Sequence, residues 1–241
     1  MTNKTTTICC AVALLATTAA TPALSQAKGF EGVNLALGFG STAGKTSYKD
    51  ANDTLLNADI SAGEINNLIY SADISYNFTP NNKFFVGIGA TYDFNKTKIG
   101  SQSIAYGADA QNSDGDSLDG VVVNAKGKLQ DHYSVYFQPA YLVNNTTALF
   151  AKISYHEANS TFAVGGTGNA DFTVTPESYK NSHSGVGYGL GLKTFLDSNI
   201  YIQAEAEYID YNSKTLDFGD GVTASLKPET ISGRISIGYK F

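Results

Sequence analysis

The stretch "GFGSTAGKTS", Gly38 to Ser47, has the residue types of a phosphate-binding loop. Such a loop needs a glycine, four residues, then Gly-Lys-Ser/Thr, so that successive backbone N–H groups wrap the phosphates. Gly44-Lys45-Thr46 supplies the second half. The first glycine should then stand at position 39, which is Phe39, with Gly38 and Gly40 on either side. A phosphate loop also opens a helix, and "TSYKDANDTLLNADISAG" carries no apolar face of helical period. Spacing and context therefore argue against nucleotide chemistry. The chain's three histidines, His132, His156 and His183, form a second group. A turn centred on Asn144 sets His132 opposite His156, and paired imidazoles can bind a metal or respond to acid. With no third ligand defined, His132 and His156 are weak metal candidates, and two solvated rim histidines are the simpler reading. "NSDGDSLDG" (Asn112 to Gly120) has the spaced oxygens of a calcium loop, but Leu118 stands where a ligand is required. It reads as a solvated acidic loop. No cofactor is implied.

The elements carrying these residues show one dominant signal, alternation of period two in segments of about ten residues. Eight such segments occur: 32–39, 68–78, 83–94, 132–142, 147–157, 184–195, 200–211 and 231–241. In the first, Val33, Leu35, Leu37 and Phe39 share one face. In the sixth, Val186, Tyr188, Leu190 and Leu192 oppose Gly185, Gly187, Gly189 and Gly191. The connections alternate in length. Residues 79–82, 143–146 and 196–199 are tight turns; 40–66, 95–130, 157–182 and 212–229 are long and polar. An apolar face on every strand, a small or charged opposite face and this asymmetry predict a transmembrane barrel. A soluble sandwich would hide its apolar faces between two sheets. The expected fold is all-β, an eight-stranded antiparallel up-and-down barrel with extended extracellular strands and loops. Within the long connections, residues 160–175 read as two strands around Gly165 to Asn169, and 215–226 as a hairpin around Gly219 to Gly221. "SIAYGA" and "GVVVNAKG" read as further strand in a protruding sheet. A ten-stranded barrel using the Val121 region is the alternative.

Residues 1–27 have the order of a secretory signal: a charge at Lys4, an apolar run from Ile8 to Ala16, then small residues. Cleavage is expected after Ala27, or else after Ser25, leaving a barrel domain over 28–241. Both cysteines, Cys9 and Cys10, fall in the removed segment, so the remainder has neither disulfide nor thiolate ligand. Loss of Lys4 takes the formal charge from −6 to −7, which excludes electrostatic attraction to nucleic acid.

"GVGYGLGLKTFLDSNIYIQAEAEYIDY", Gly185 to Tyr211, together with the ending "ISIGYKF", resembles the small outer-membrane barrel proteins of Gram-negative bacteria, the OmpX, OmpA-barrel and opacity-type group. The resemblance implies export to the outer membrane, with loops extracellular and both termini periplasmic. It implies that Tyr239 and Phe241 form a C-terminal signal read by the barrel-assembly machinery. Outer-membrane lipids and lipopolysaccharide are implied partners, with a surface ligand or host molecule at the loops. Lys45 is placed as a loop charge facing lipopolysaccharide.

Eight strands enclose a space that side chains can fill. Asp73, Lys152, Glu205, Glu207 and Arg234 have inward phase, and charges out of bulk water need partners. A lumen network joining Arg234 to Glu205 or Glu207 is expected, with Glu205 opposite Gly189 and Glu207 opposite Gly187. It reads as a structural plug; the alternative is a gate over a narrow porin-like channel for small solutes. Some barrels of this size modify lipid A, and a deacylase type carries His-x-Ser facing the lipid. His132-Tyr133-Ser134 has that spacing but the inward phase. The expected role is non-enzymatic: membrane integrity, adhesion or contact with host and environment.

Overall fold

A computed structural model describes residues 27–50, 64–107, 111, 115–170, 173–217 and 223–241. The expected signal segment up to residue 26, residues 112–114 of the acidic loop and the tip of the 215–226 hairpin lie outside the described residues. Among the described residues a short 3-10 turn, Ala27–Phe30, precedes ten strands. These are β1 (Gly32–Asp50), β2 (Glu64–Phe78), β3 (Phe84–Asp93), β4 (Thr97–Ala105), β5 (Val122–Leu142), β6 (Thr147–Thr167), β7 (Glu177–Phe195), β8 (Ile200–Tyr211), β9 (Lys214–Asp217) and β10 (Thr223–Lys240).

Eight of them close a ring in the order β1-β2-β3-β5-β6-β7-β8-β10, with β10 returning antiparallel to β1 from Asn34↔Lys240 to Asp50↔Ala224. Closure removes the free edges that lipid could not solvate. The ten-stranded alternative is not realised. β4 pairs only with the far half of β5, taking the place beside it that β3 leaves, and β9 pairs only with the start of β10. Both lie beyond the ring, as short strands of protruding sheets.

The alternating residues divide as a membrane wall requires. Leu37 is 63% exposed and Leu190 70%, values that no sandwich interior would give. On the opposite face Ser71, Ser154, Gln138 and Lys152 are buried. Tyrosines and phenylalanines ring both ends of the outward apolar band, including Phe39, Tyr70, Tyr155, Tyr141 and Tyr239.

Several strands run well past their expected ends: β5 begins at Val122 rather than near His132, and β6 continues to Thr167. The polarity of the two faces inverts where the band ends. Below the inversion Tyr155 faces out and Ser154 in. Above it Lys126, Lys128 and Asn159 face out, while Leu129, Ala158 and Phe162 are buried inside. A strand with a polar outer face and an apolar inner one resembles a loop when lipid-facing alternation is the criterion. The 160–175 segment differs in detail as well. Gly165 and Gly166 lie inside β6, and residues 173–176 are not strand. The 215–226 segment is the β9–β10 pairing, Asp217↔Thr223 to Lys214↔Leu226.

Lys45 is a strand residue, not a loop charge. It faces outward on β1, with its Nζ 2.9 Å from Glu229 Oε2 on β10.

Candidate functional site

Two registers place the inward charges, and both differ by two residues from the sequence expectation. The β7–β8 turn closes through Leu196 N–H to the Ile200 carbonyl, which centres it on Ser198. Glu205 therefore lies opposite Gly191, and Glu207 opposite Gly189. The β5–β6 turn closes through Val143 N–H to the Thr147 carbonyl and is centred on Asn145. His156 then faces Ser134 rather than His132. A bulge at Asp131, whose φ of 52° is the left-handed conformation, shifts the register again between Gln130 and Tyr133. It leaves His132 inward, beside His156 after all.

Seven side chains form a closed ring across the lumen. Lys152 Nζ donates to Glu205 Oε1 at 3.3 Å and to Glu207 Oε2 at 3.2 Å. Glu205 Oε1 is 3.6 Å from Arg234 Nη1, directly across the β8–β10 ladder. Arg234 Nη2 donates to Asp93 Oδ1 at 3.3 Å. Asp93 Oδ2 lies 2.5 Å from His132 Nδ1, and His132 Nε2 lies 2.9 Å from His156 Nδ1. His156 Nε2 closes the ring at 3.2 Å from Glu207 Oε1. Ser154 sits inside this last contact, donating to Glu207 Oε1 at 2.5 Å while its oxygen lies 2.7 Å from His156 Nε2.

Asp73 stands next to the ring rather than in it. It accepts from Tyr136 OH at 2.9 Å and Thr91 Oγ1 at 2.9 Å, and Lys152 lies over the Tyr136 ring. Lys193, on the same inward face as Gly185 to Gly191, is buried with its Nζ 4.4 Å from the centroid of Tyr201. Asp93 was likewise visible as an inward residue of its strand. Its link to Arg234 was not, because β3 and β10 are not sheet neighbours. His183 lies apart from the other two histidines, held by the Asn212 carbonyl at 3.1 Å and Ser160 Oγ at 3.0 Å.

Glycines make the room. A Cβ on Gly187 would come 2.3 Å from Ser154 Oγ and 2.5 Å from His156 Nε2. One on Gly38 would come 2.4 Å from Ser71 Oγ and 2.8 Å from Arg234 Cδ. Gly38, in the stretch that resembled a phosphate loop, thus serves to let arginine cross the lumen.

Apolar layers close the lumen on both sides of the ring. Toward the short turns, Phe30 is fully buried among Phe85, Phe150 and Leu142, stacked on Phe85 at 5.0 Å and edge-on to Phe195 at 4.9 Å. Asn77 Nδ2 holds the Phe30 carbonyl at 3.0 Å. Toward the long strands, Ile99, Leu129, Phe162, Ile209 and Tyr211 form a second cluster. A lumen cavity lined by Asp93, His132, Tyr211 and Arg234 measures about 20 Å³, room for about one water.

The ring does not supply catalysis to the lipid face. His132 and Ser134 both point into the lumen, while Tyr133 between them is exposed. Ser154, His156, His132 and Asp93 follow one another as a hydroxyl–imidazole relay would, yet Ser154 is buried and already bonded to Glu207. Among the described residues, no group of three or more His, Cys, Asp or Glu is arranged to hold a metal ion. His132 and His156 turn nitrogens toward each other, leaving no shared outward-facing pair.

A closed eight-stranded ring with an apolar outer band and a polar, filled interior defines a small transmembrane β-barrel. The chain belongs to the outer membrane protein beta-barrel domain family, which matches residues 9–241. It is thus a small outer-membrane barrel protein of the Gram-negative type. Among solved structures it is similar to Ail of Yersinia pestis, with 16% identity over 88% of this chain and 99% of that one and a TM-score of 0.41. It is similar to Neisserial surface protein A, with 13% identity, 88% and 100% coverage and a TM-score of 0.32. The outer membrane protease OmpT of Escherichia coli gives 9% identity, 87% and 97% coverage and a TM-score of 0.51. At these identities the likeness is one of fold alone. No curated protein matches the chain in sequence.

Proposed function

We propose that this protein is a sealed, non-enzymatic barrel that carries protruding sheets at the cell surface and reinforces the outer membrane. The observation that carries this reading is the filling of the lumen at three successive levels: the Phe30 cluster, the charge ring and the Ile99–Phe162 cluster. Small solutes would have to displace all three. Buried charges this well paired act as a lock, because separating any one from its partners costs several kcal/mol.

The short turns lie in the periplasm with both chain ends, following removal of residues 1–27, and the long strands project outside. There β4–β5–β6–β7 and β1–β10–β9 form the two sheets offered for adhesion or host contact. Tyr239 and Phe241, outward and with ring centroids 4.9 Å apart, serve as the terminal signal for the assembly machinery. Lysines 152 and 193, Arg234 and their carboxylates serve as the plug.

Planar-bilayer recording of the purified folded protein tests the sealed lumen. No stable open level is expected; a reproducible conductance with a fixed unit size would replace the plug with a channel. The surface role is tested by removing residues 100–126 and measuring attachment of expressing cells to host cells and matrix. Attachment should fall while the barrel remains assembled.

A further inference from the structure

His132 and His156 stand at a joint in the barrel wall. His132 follows Asp131, the left-handed residue at which the β5–β6 register shifts. Below the shift, Tyr133 and Tyr155 are the last outward aromatics of their strands. Above it, the first half of β5, Val122 to Gln130, pairs with β6 and carries β4 on its other side. Asp131 fastens this joint on the outer face, accepting from Asn159 Nδ2 at 3.2 Å. His132 fastens it on the inner face, through Asp93 and His156.

The inner fastening is full. Asp93 accepts at one end of the histidine pair and Ser154 Oγ at the other, and one hydrogen lies between the rings. That makes three ring hydrogens. A fourth has one place to go, the 2.9 Å gap between His132 Nε2 and His156 Nδ1. Two N–H groups would then point at each other from two cationic rings stacked 5.0 Å apart. The pair must part to admit that hydrogen.

The charged groups around the pair are already committed. Asp93 on β3 also holds Arg234 of β10, and Glu207 on β8 also holds Lys152 of β6. Glu205 on β8 is shared by Lys152 and Arg234, and Asp73 on β2 accepts from Tyr136 and Thr91. Tyr211 on β8 lies edge-on to His132, with ring centroids 6.3 Å apart. Protonating Asp93, Glu205 or Glu207 would give up a cation, whereas imidazole is the side chain that gains charge in mild acid.

His132 is the ring with room to move. His156 is buried and packed against Gly187. His132 borders the cavity of about 20 Å³ that it shares with Thr42, Tyr211 and Arg234. Its backbone lies in the bulge, where the ladder is interrupted. A shift of His132 takes Asp131 with it and pulls on the Asn159 bond outside.

We infer that the His132–His156 pair is an acid-released latch at the Asp131 bulge. At neutral pH it fixes the first half of β5, and β4 with it, to the charge ring. In acid the rings separate and β5 loosens from β6 at the joint. The latch works whichever way the long strands point, so failure of the proposed surface role or a conductance in the bilayer experiment would leave it untouched.

Hydrogen exchange of the full folded chain in lipid nanodiscs tests it, comparing pH 7 with pH 4.5 after correction for intrinsic rates. Amides over 128–133 and 157–160 should exchange about tenfold faster in acid, and those of the β2–β3 ladder should not change. His156→Gln, whose amide cannot take up a proton, should abolish the gain, and His183→Gln should keep it. An unheated gel checks that each variant is folded. Nitrogen-15 spectra of the unsubstituted protein give a second reading that needs no variant. At pH 4.5 both rings should carry hydrogen on both nitrogens, and the coupling between His132 and His156 should be gone. A gain that persists in folded His156→Gln, or that spreads equally over β2–β3, would overturn the latch. So would a pair that keeps its shared hydrogen at pH 4.5.

Discussion

His132 Nε2 lies 2.9 Å from His156 Nδ1, with the two rings 5.0 Å apart and 7° from parallel. Acceptors stand at both ends of this pair. Asp93 is a carboxylate, and Ser154 gives its hydrogen to Glu207, so its oxygen accepts from His156. Three contacts therefore need three ring hydrogens, one more than two neutral imidazoles carry. The lumen count agrees: Lys152, Lys193 and Arg234 face Asp73, Asp93, Glu205 and Glu207, and one added proton brings the sum to zero. Nitrogen-15 side-chain spectra of the folded protein at pH 7 should show one ring protonated at both nitrogens. Two neutral rings would contradict this hydrogen count.

Lys152 is the cation shared by Glu205 and Glu207. Lys152→Met leaves two buried carboxylates with fewer partners and should destabilise the barrel by about 3–5 kcal/mol. Adding Glu207→Gln should restore part of that loss, because the pair is coupled. Urea titration of the reconstituted protein reads both. Additive losses would mean that the ring is not a unit.

Gly187→Ala should cost about 1–3 kcal/mol, since the new methyl meets Ser154 and His156 within 2.5 Å. The displaced imidazole should also alter the His132–His156 hydrogen bond in the same nitrogen spectra. Gly107→Ala, where a Cβ meets nothing within 4 Å, is the matched control.

Phe30 seals the short-turn end from a segment that is not part of the barrel wall. Phe30→Ala should remove about 3 kcal/mol of packing. It should also speed proteolysis of residues 28–30 from the periplasmic side while the wall stays intact. Unchanged cleavage would show that the aromatic contacts do not hold the segment.

His183 lies beyond the membrane band, where β7 parts from β8. Burial pushes its imidazole below the usual range, against the opposing bond to the Asn212 carbonyl. The folded form thus favours the neutral ring. Its contribution is present above about pH 6.5 and is lost as pH falls through the lowered folded value. Hydrogen exchange at the Asn212 amide, which donates to the Ser184 carbonyl, should accelerate at pH 5 relative to pH 7 beyond the intrinsic change. His183→Gln should abolish that extra dependence.

Sequence alone determined the wall. Lipid solvates no free backbone group and accepts few polar side chains, so period-two alternation is compulsory in each crossing. Val33 to Phe39 and Val186 to Leu192 could be oriented from it without coordinates. The same alternation identified Asp73, Lys152, Glu205, Glu207 and Arg234 as inward. Tertiary structure decided which of them meet. Turn closure at Asn145 and Ser198 moved each register by two residues, and the Asp131 bulge brought His132 back beside His156. Ring closure set Arg234 across from Asp93, 141 residues away and on a strand that is not its neighbour. The inverted faces above the band were equally hidden. Outside the lipid, water takes over the outer face and apolar side chains retreat to the lumen, so the alternation continues with opposite sign and reads as loop.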